Sequence, residues 1–129
     1  MSRSRKRRKE RTESLYEHAL ICYLPNKDAE GREFDVEPWE TEALRLLGRL
    51  FGGATSYPSR GSYRCSDALG RGVDEGVLIE STRLIESFVR EAEFTQEALT
   101  RAGSFMKRFK KATRQETVAM VVDGEMYYL

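Results

Sequence analysis

Histidine occurs once in this chain, at His18, and cysteine twice, at Cys22 and Cys65. Two widely separated cysteines supply neither a disulfide framework nor the C-x-x-C spacing of a metal site. Buried thiols in a reducing compartment are the expected state. His18 and Cys22 fall on the same face of an extended segment, but four residues of strand rise hold them about 13 Å apart. They therefore form no Cys-His dyad and share no metal. A Ser-His-Asp set would need that same histidine within about 3 Å of a nucleophile, and nothing in the sequence marks one. No apolar run approaches the roughly 18 residues that span a membrane. The N-terminus lacks the apolar core of a secretory signal, and no repeat at solenoid periods is present. A cytoplasmic protein without metal or cofactor is the expectation.

What is present is a chain of 129 residues, 40% apolar and 33% charged, the size and composition of one globular domain with a single core. The net charge of +1 hides a split: seven of the 22 basic residues and one of the 21 acidic residues fall in the first eleven positions, leaving 15 basic against 20 acidic beyond them. Residues 1–13 thus read as a disordered basic arm and residues 14–129 as a single α+β domain. Arg3, Arg5, Lys6, Arg7, Arg8, Lys9 and Arg11 suit neutralisation of nucleic-acid phosphates; a solubilising tail is the alternative.

The domain is organised around Pro38–Thr55. Trp39, Ala43, Leu46, Leu47 and Leu50 recur at helical spacing on one face, with Glu40, Glu42, Arg45 and Arg49 largely outside it. Pro38 opens this helix, Asp35 or Glu37 caps it, and Gly52-Gly53 ends it. Before it, Leu15–Leu24 alternates with both faces apolar, the signature of a central strand. After it, a second strand runs towards Cys65, broken or bulged near Pro58. Ser66–Asp74 reads as a hairpin loop and Glu75–Val89 as one long strand or a bent pair. A second helix runs from about Glu93 or Thr95 to Ala112, with Phe94, Ala98, Ala102, Phe105 and Phe109 on one face. Thr117–Val122 is a β-branched strand, Asp123-Gly124 a type I′ turn, and Glu125–Leu129 a returning strand. This order predicts a ferredoxin-like β-α-β-β-α-β sandwich with an extra C-terminal β-strand, one sheet face being left for a partner or a ligand.

Phe51-Gly-Gly-Ala-Thr55, Gly61-x-Tyr-Arg64, Glu80-Ser81, Arg114-Gln-Glu-Thr-Val118 and the closing Asp-Gly turn resemble a family of small uncharacterised bacterial proteins on a ferredoxin-like frame. The resemblance spans roughly 15–129. It implies a fold and carries no activity with it.

Candidate chemistry is sparse. Gly52–Thr55 offers backbone N–H groups to a phosphate, but it follows a helix instead of opening one, so a helix C-cap is the preferred reading. Tyr63, Arg64, Glu80, Gln115 and Glu116 fall on or beside strands that neighbour one another. They make a polar pocket or, as the preferred reading, cross-strand pairs such as Glu80 with Arg64, with Gln115 satisfying backbone at the start of the fourth strand. Lys107, Arg108, Lys110 and Lys111 complement the dipole of the second helix and, with the arm, extend a nucleic-acid track. The leading expectation is a non-catalytic assembly subunit, a homodimer or a component of a larger bacterial complex. A nucleic-acid-binding accessory protein comes second. A nuclease or small-molecule lyase acting through Arg64, Glu80 and Glu116 is ranked last.

Overall fold

The computed structural model describes residues 15–64 and 76–129, so the basic arm with Arg3–Arg11 and the loop expected at Ser66–Asp74 lie outside the described residues. In chain order the elements are β1 (His18–Pro25), α1 (Glu37–Phe51), β2 (Thr55–Arg64), β3 (Val77–Val89), a 3-10 turn (Glu91–Glu93), α2 (Gln96–Ala112), β4 (Ala119–Val122) and β5 (Glu125–Tyr128). The strands form one antiparallel sheet in the order β2-β3-β1-β4-β5. The fold is α+β. Among the described residues no helix is long and apolar enough to cross a membrane.

β1 is central, as its two apolar faces require. Its ladder to β3 runs from His18 opposite Val89 to Pro25 opposite Thr82. Leu15 and Tyr16 are exposed and precede the strand, so the expected start at Leu15 is corrected to His18. Pairing of β2 with β3 is continuous from Thr55–Glu86 to Arg64–Val77. The expected break at Pro58 is therefore absent: β2 is an edge strand, where a sheet tolerates proline. Nor is Glu75–Val89 a bent pair; β3 is one strand of 13 residues.

Both helices lie on one face of the sheet. Even-numbered residues of β1 (Leu20, Cys22, Leu24) and odd-numbered residues of β3 (Ile85, Val89) meet Ala43, Leu47 and Phe51 of α1 and Ala98, Ala102, Phe105, Met106 and Phe109 of α2 in one buried cluster. Removing a ring such as Phe51 or Phe109 costs about 3–5 kcal/mol in a core of this kind. Trp39 sits at the rim, edge-on to Phe105 and Phe109 at 6.1 and 5.4 Å. Arg83, also on the helix side of β3, reaches Glu40 of α1 at 3.4 Å. Ser87 is buried there, and its hydroxyl donates to the Gly53 carbonyl at 2.9 Å.

The helix ends follow their local chemistry. Thr95 caps α2 by accepting the Ala98 N–H at 3.1 Å. Asp35 accepts the Glu37 N–H at 3.0 Å just ahead of α1, although the capping position itself is Val36. Gly52 closes α1 in the left-handed conformation (φ 91°), its N–H on the Gly48 carbonyl at 2.9 Å. Gly52 therefore does what the helix end needs. Asp123 and Gly124 both have positive φ, 51° and 81°, in the tight turn between β4 and β5.

Candidate functional site

Residues that alternate away from the helices build the other face of the sheet. On β3 these are Leu78, Glu80 and Thr82, lying opposite Tyr63, Gly61 and Ser59 of β2. Leu78 and Thr82 are buried although no helix of the described residues covers them. A cavity of about 170 Å³ opens there, lined by Tyr23, Gly61, Tyr63, Glu80, Met126 and Tyr128 among others. Beside it lies a smaller hollow of about 30 Å³ that shares Pro25, Tyr63, Glu80 and Thr117 and adds Gln115 and Glu116. Glu80 is common to both.

Glu80 is half-buried, and desolvation pushes its carboxyl up to about 7; Lys27 opposes the shift. The Lys27 ammonium is anchored beside it, donating to the Ile79 carbonyl at 3.0 Å. Just past the end of β1, Asn26 continues the edge of the ladder through its backbone N–H on the Ser81 carbonyl (2.9 Å) and its side-chain oxygen on the Ser81 N–H (3.1 Å). The cross-strand partner of Glu80 is Gly61. Gly61 puts no side chain on the β2 side of the carboxylate. A Cβ at position 61 would touch the Thr82 hydroxyl at 3.4 Å, and any longer side chain would extend on that side.

The Tyr63 hydroxyl donates to Glu116 at 2.9 Å, joining β2 to the segment ahead of β4 across the hollow. Gln115 donates to the Lys27 carbonyl at 3.0 Å and to the Thr113 hydroxyl at 3.1 Å. It thus satisfies backbone beyond the end of β1, not at the start of the fourth strand as expected. Of the five pocket candidates, Tyr63, Glu80, Gln115 and Glu116 converge. Arg64 does not: it faces the opposite side from Tyr63 and pairs with Val77, so the expected Glu80–Arg64 pair is excluded by the alternation of β2. The sequence reasoning overlooked Gly61, Lys27 and the wall made by Met126 and Tyr128. Their approach to Glu80 depends on strand register, and no local pattern announces it.

The basic candidates divide. Lys107, Arg108 and Lys111 are exposed along the end of α2 and Lys110 is half-buried. Arg108 is ion-paired with Glu42 of α1 and lies over the Trp39 and Phe105 rings at 5.3 and 5.4 Å, so it braces the two helices. His18, at the start of β1, has both ring nitrogens on carboxylates: Nδ1 to Asp123 at 2.7 Å and Nε2 to Glu91 at 2.5 Å. Among the described residues no cluster of three histidine, cysteine or acidic side chains is arranged to hold a metal.

No protein-family model matches the chain, and no curated protein does. Solved structures do. A phage SAM lyase in complex with S-methyl-5′-thioadenosine matches with a TM-score of 0.63 at 14% identity, over 87% of this chain and 88% of that one. A phage SAM lyase in the apo state matches with a TM-score of 0.56, also at 14% identity, over 87% of each chain. This degree of likeness establishes a shared fold. It also overturns the leading expectation of a non-catalytic assembly subunit, because the frame read as a passive scaffold is that of an enzyme in these neighbours.

Proposed function

We propose that this chain is an enzyme that binds S-adenosylmethionine over Glu80 on the open sheet face and cleaves it to S-methyl-5′-thioadenosine. The observation that carries the proposal is Glu80 itself, a half-buried carboxylate in a concave site with its ionisation moved to about 7, the kind of perturbed group that marks functional sites. A sulfonium cation would complete the charge compensation that Lys27, held on the Ile79 carbonyl, gives such a carboxylate only in part. Tyr23, Tyr63 and Tyr128 around the cavity offer aromatic faces to a purine, and Met126 offers a soft apolar contact to a thioether.

The chemistry follows from the product. S-methyl-5′-thioadenosine keeps the methyl and adenosyl groups, so the bond that breaks joins sulfur to the γ-carbon of the aminobutyrate chain, and its electron pair goes to sulfur. A lyase adds no water. The γ-carbon is satisfied within the four-carbon fragment, either by that fragment's own carboxylate closing a lactone or by loss of a β-proton to form an alkene. Both routes discharge the sulfonium, and a step that disperses charge is favoured in a desolvated site. Glu80 aligns the sulfonium in either route and accepts the proton in the second.

In our reading the frame is the ferredoxin-like sandwich expected from the element order, with β5 added at one edge. The interleaved order, with β3 lying between β1 and β2, supports it. The deciding experiment incubates the full chain with S-adenosylmethionine carrying a labelled methyl group and separates the products. Labelled S-methyl-5′-thioadenosine is expected from the wild type and not from Glu80→Gln. If the wild type forms none, the proposal is wrong. The co-product, lactone or alkene, assigns the route.

A further inference from the structure

At the opposite end of β1 from Glu80, His18 brings together three stretches of chain. Its Nδ1 faces Asp123 of the β4–β5 turn at 2.7 Å, its Nε2 faces Glu91 of the 3-10 turn at 2.5 Å, and its ring stacks flat on Phe94 just ahead of α2, with centroids 3.8 Å apart and planes within 2°. Carboxylates only accept hydrogen bonds at neutral pH, so filling both contacts requires a proton on each nitrogen. The arrangement is built for the imidazolium and is incomplete for the neutral ring. Stacking on Phe94 also suits a cation.

The two carboxylates are not equivalent. Asp123 is fixed independently of the histidine, because its second oxygen accepts the Ala19 N–H at 3.0 Å and its own N–H donates to the Ala19 carbonyl at 2.8 Å. Glu91 is the more exposed, at 70% of its side chain against 41% for Asp123. Among the described residues the backbone hydrogen bonds of its turn are short-range: Glu93 N–H on Arg90, Phe94 N–H on Glu91 and Thr95 N–H on Glu93.

We propose that His18 is a pH-sensitive strap: as imidazolium it ties the turn leading into α2 to the β4–β5 turn, and on losing one proton it keeps Asp123, releases Glu91 and loosens the turn ahead of α2. Among the described residues the charged groups facing the ring are Glu91 from the 3-10 turn and Asp123 from the β4–β5 turn. Phe94 contributes only its ring, and the neighbouring Arg90 turns to Tyr16, donating to its hydroxyl at 2.9 Å. Glu91 first and then Asp123 hold the His18 pKa above its ordinary 6.5, so the strap is closed at that pH and opens above it. The strap stands independently of the pocket and its chemistry.

The test is nitrogen NMR of the imidazole together with amide hydrogen exchange on the full chain between pH 5.5 and 9, with exchange rates corrected for their intrinsic pH dependence. Expected is a doubly protonated His18 that titrates above 6.5. Across that titration, protection at Glu93, Phe94 and Thr95 is lost, while the Ala19 and Asp123 amides hold. In Glu91→Gln the histidine titrates lower, and protection at Glu93–Thr95 is already low at pH 6. A His18 that titrates at or below 6.5 overturns the strap. So does loss of protection at Ala19 and Asp123 while Glu93–Thr95 stays protected, or protection at all these sites that is indifferent to pH. Separately, S-methyl-5′-thioadenosine added at pH 6 tests the Glu80 pocket, and its failure to bind leaves the strap intact.

Discussion

Glu80 and Asp123 lie near opposite ends of β1, and their carboxyl groups are displaced in opposite directions. Glu80 is raised to about 7 because burial removes water from it, a cost that the charge of Lys27 offsets only in part. Asp123 is lowered, first by His18 and then by the Ala19 N–H. The same kind of group is destabilised as an anion at one end of a strand and stabilised at the other. The difference lies in what the neighbouring strands bring. At the Glu80 end the cross-strand partner is a glycine, and at the Asp123 end the His18 ring and a backbone donor are already in place. A carboxylate left short of partners is available to a ligand; one fully served holds the fold together.

The strongest way to break this contrast is Glu80→Gln. Production of S-methyl-5′-thioadenosine is expected to fall by about 100-fold or more, the range seen on loss of a group acting on the reacting atoms. Stability should not fall with it. A carboxyl whose pKa is raised from 4.5 in the unfolded chain to about 7 in the folded one contributes stability below 4.5 and loses it as pH rises through 7. Thermal melts at pH 8 should therefore leave the variant at or above wild type, and a variant that melts lower would recast Glu80 as a structural residue.

Filling the gap beside Glu80 comes next. Gly61→Leu is expected to weaken S-methyl-5′-thioadenosine binding in a calorimetric titration by about tenfold or more, a loss of roughly 1.4 kcal/mol. Gly53→Ala is the control, since a Cβ there meets nothing within 4 Å. Equal affinities for the two variants would move the ligand away from the β2–β3 floor.

A smaller and more diagnostic effect is the pH dependence of turnover. Only ionised Glu80 complements a sulfonium, so kcat/KM should rise with pH through a midpoint near 7. Lys27 is the influence that lowers this carboxyl, so Lys27→Met should carry the midpoint upward, and an unmoved midpoint would separate the two residues. The smallest change is expected from Tyr63→Phe. It removes an exposed hydrogen bond to Glu116, worth about 1 kcal/mol, and should lower the melting temperature by a few degrees at most. A large loss of turnover without that shift would place the Tyr63 hydroxyl on the substrate.

Much of the frame was legible because periodicity is local. The stripe from Trp39 to Leu50, the two apolar faces of β1 and the Asp123-Gly124 turn each announce their element within a dozen residues. Four of the five pocket residues were also within reach, since Tyr63, Glu80, Gln115 and Glu116 all fall on or beside strands expected to be neighbours. Arg64 was misplaced for a reason the sequence itself contains: it adjoins Tyr63 in an extended strand and so points the other way. Gly61 opposite Glu80 and His18 between Glu91 and Asp123 were hidden, because pairing over many tens of residues is fixed by register and leaves no local trace. The expectation of an assembly subunit rested on the apolar two-faced strands, the aromatic C-terminus and the lack of a catalytic set such as a nucleophile or metal motif. Cleavage of a sulfonium demands neither, since the leaving group is already activated.

The place of Trp39 determines how this molecule can be watched. It is the sole tryptophan, wedged among Phe105, Phe109 and Arg108 at the rim of the helix layer, with the whole sheet between it and Glu80. Intrinsic fluorescence excited at the red edge of indole absorption will therefore follow the docking of α1 on α2 and stay dark to an occupant of the far face. A ligand titration read by tryptophan emission would return silence even at saturation. The tyrosines ringing the cavity, or a probe on the ligand itself, are the optical handles that face that side of the sheet.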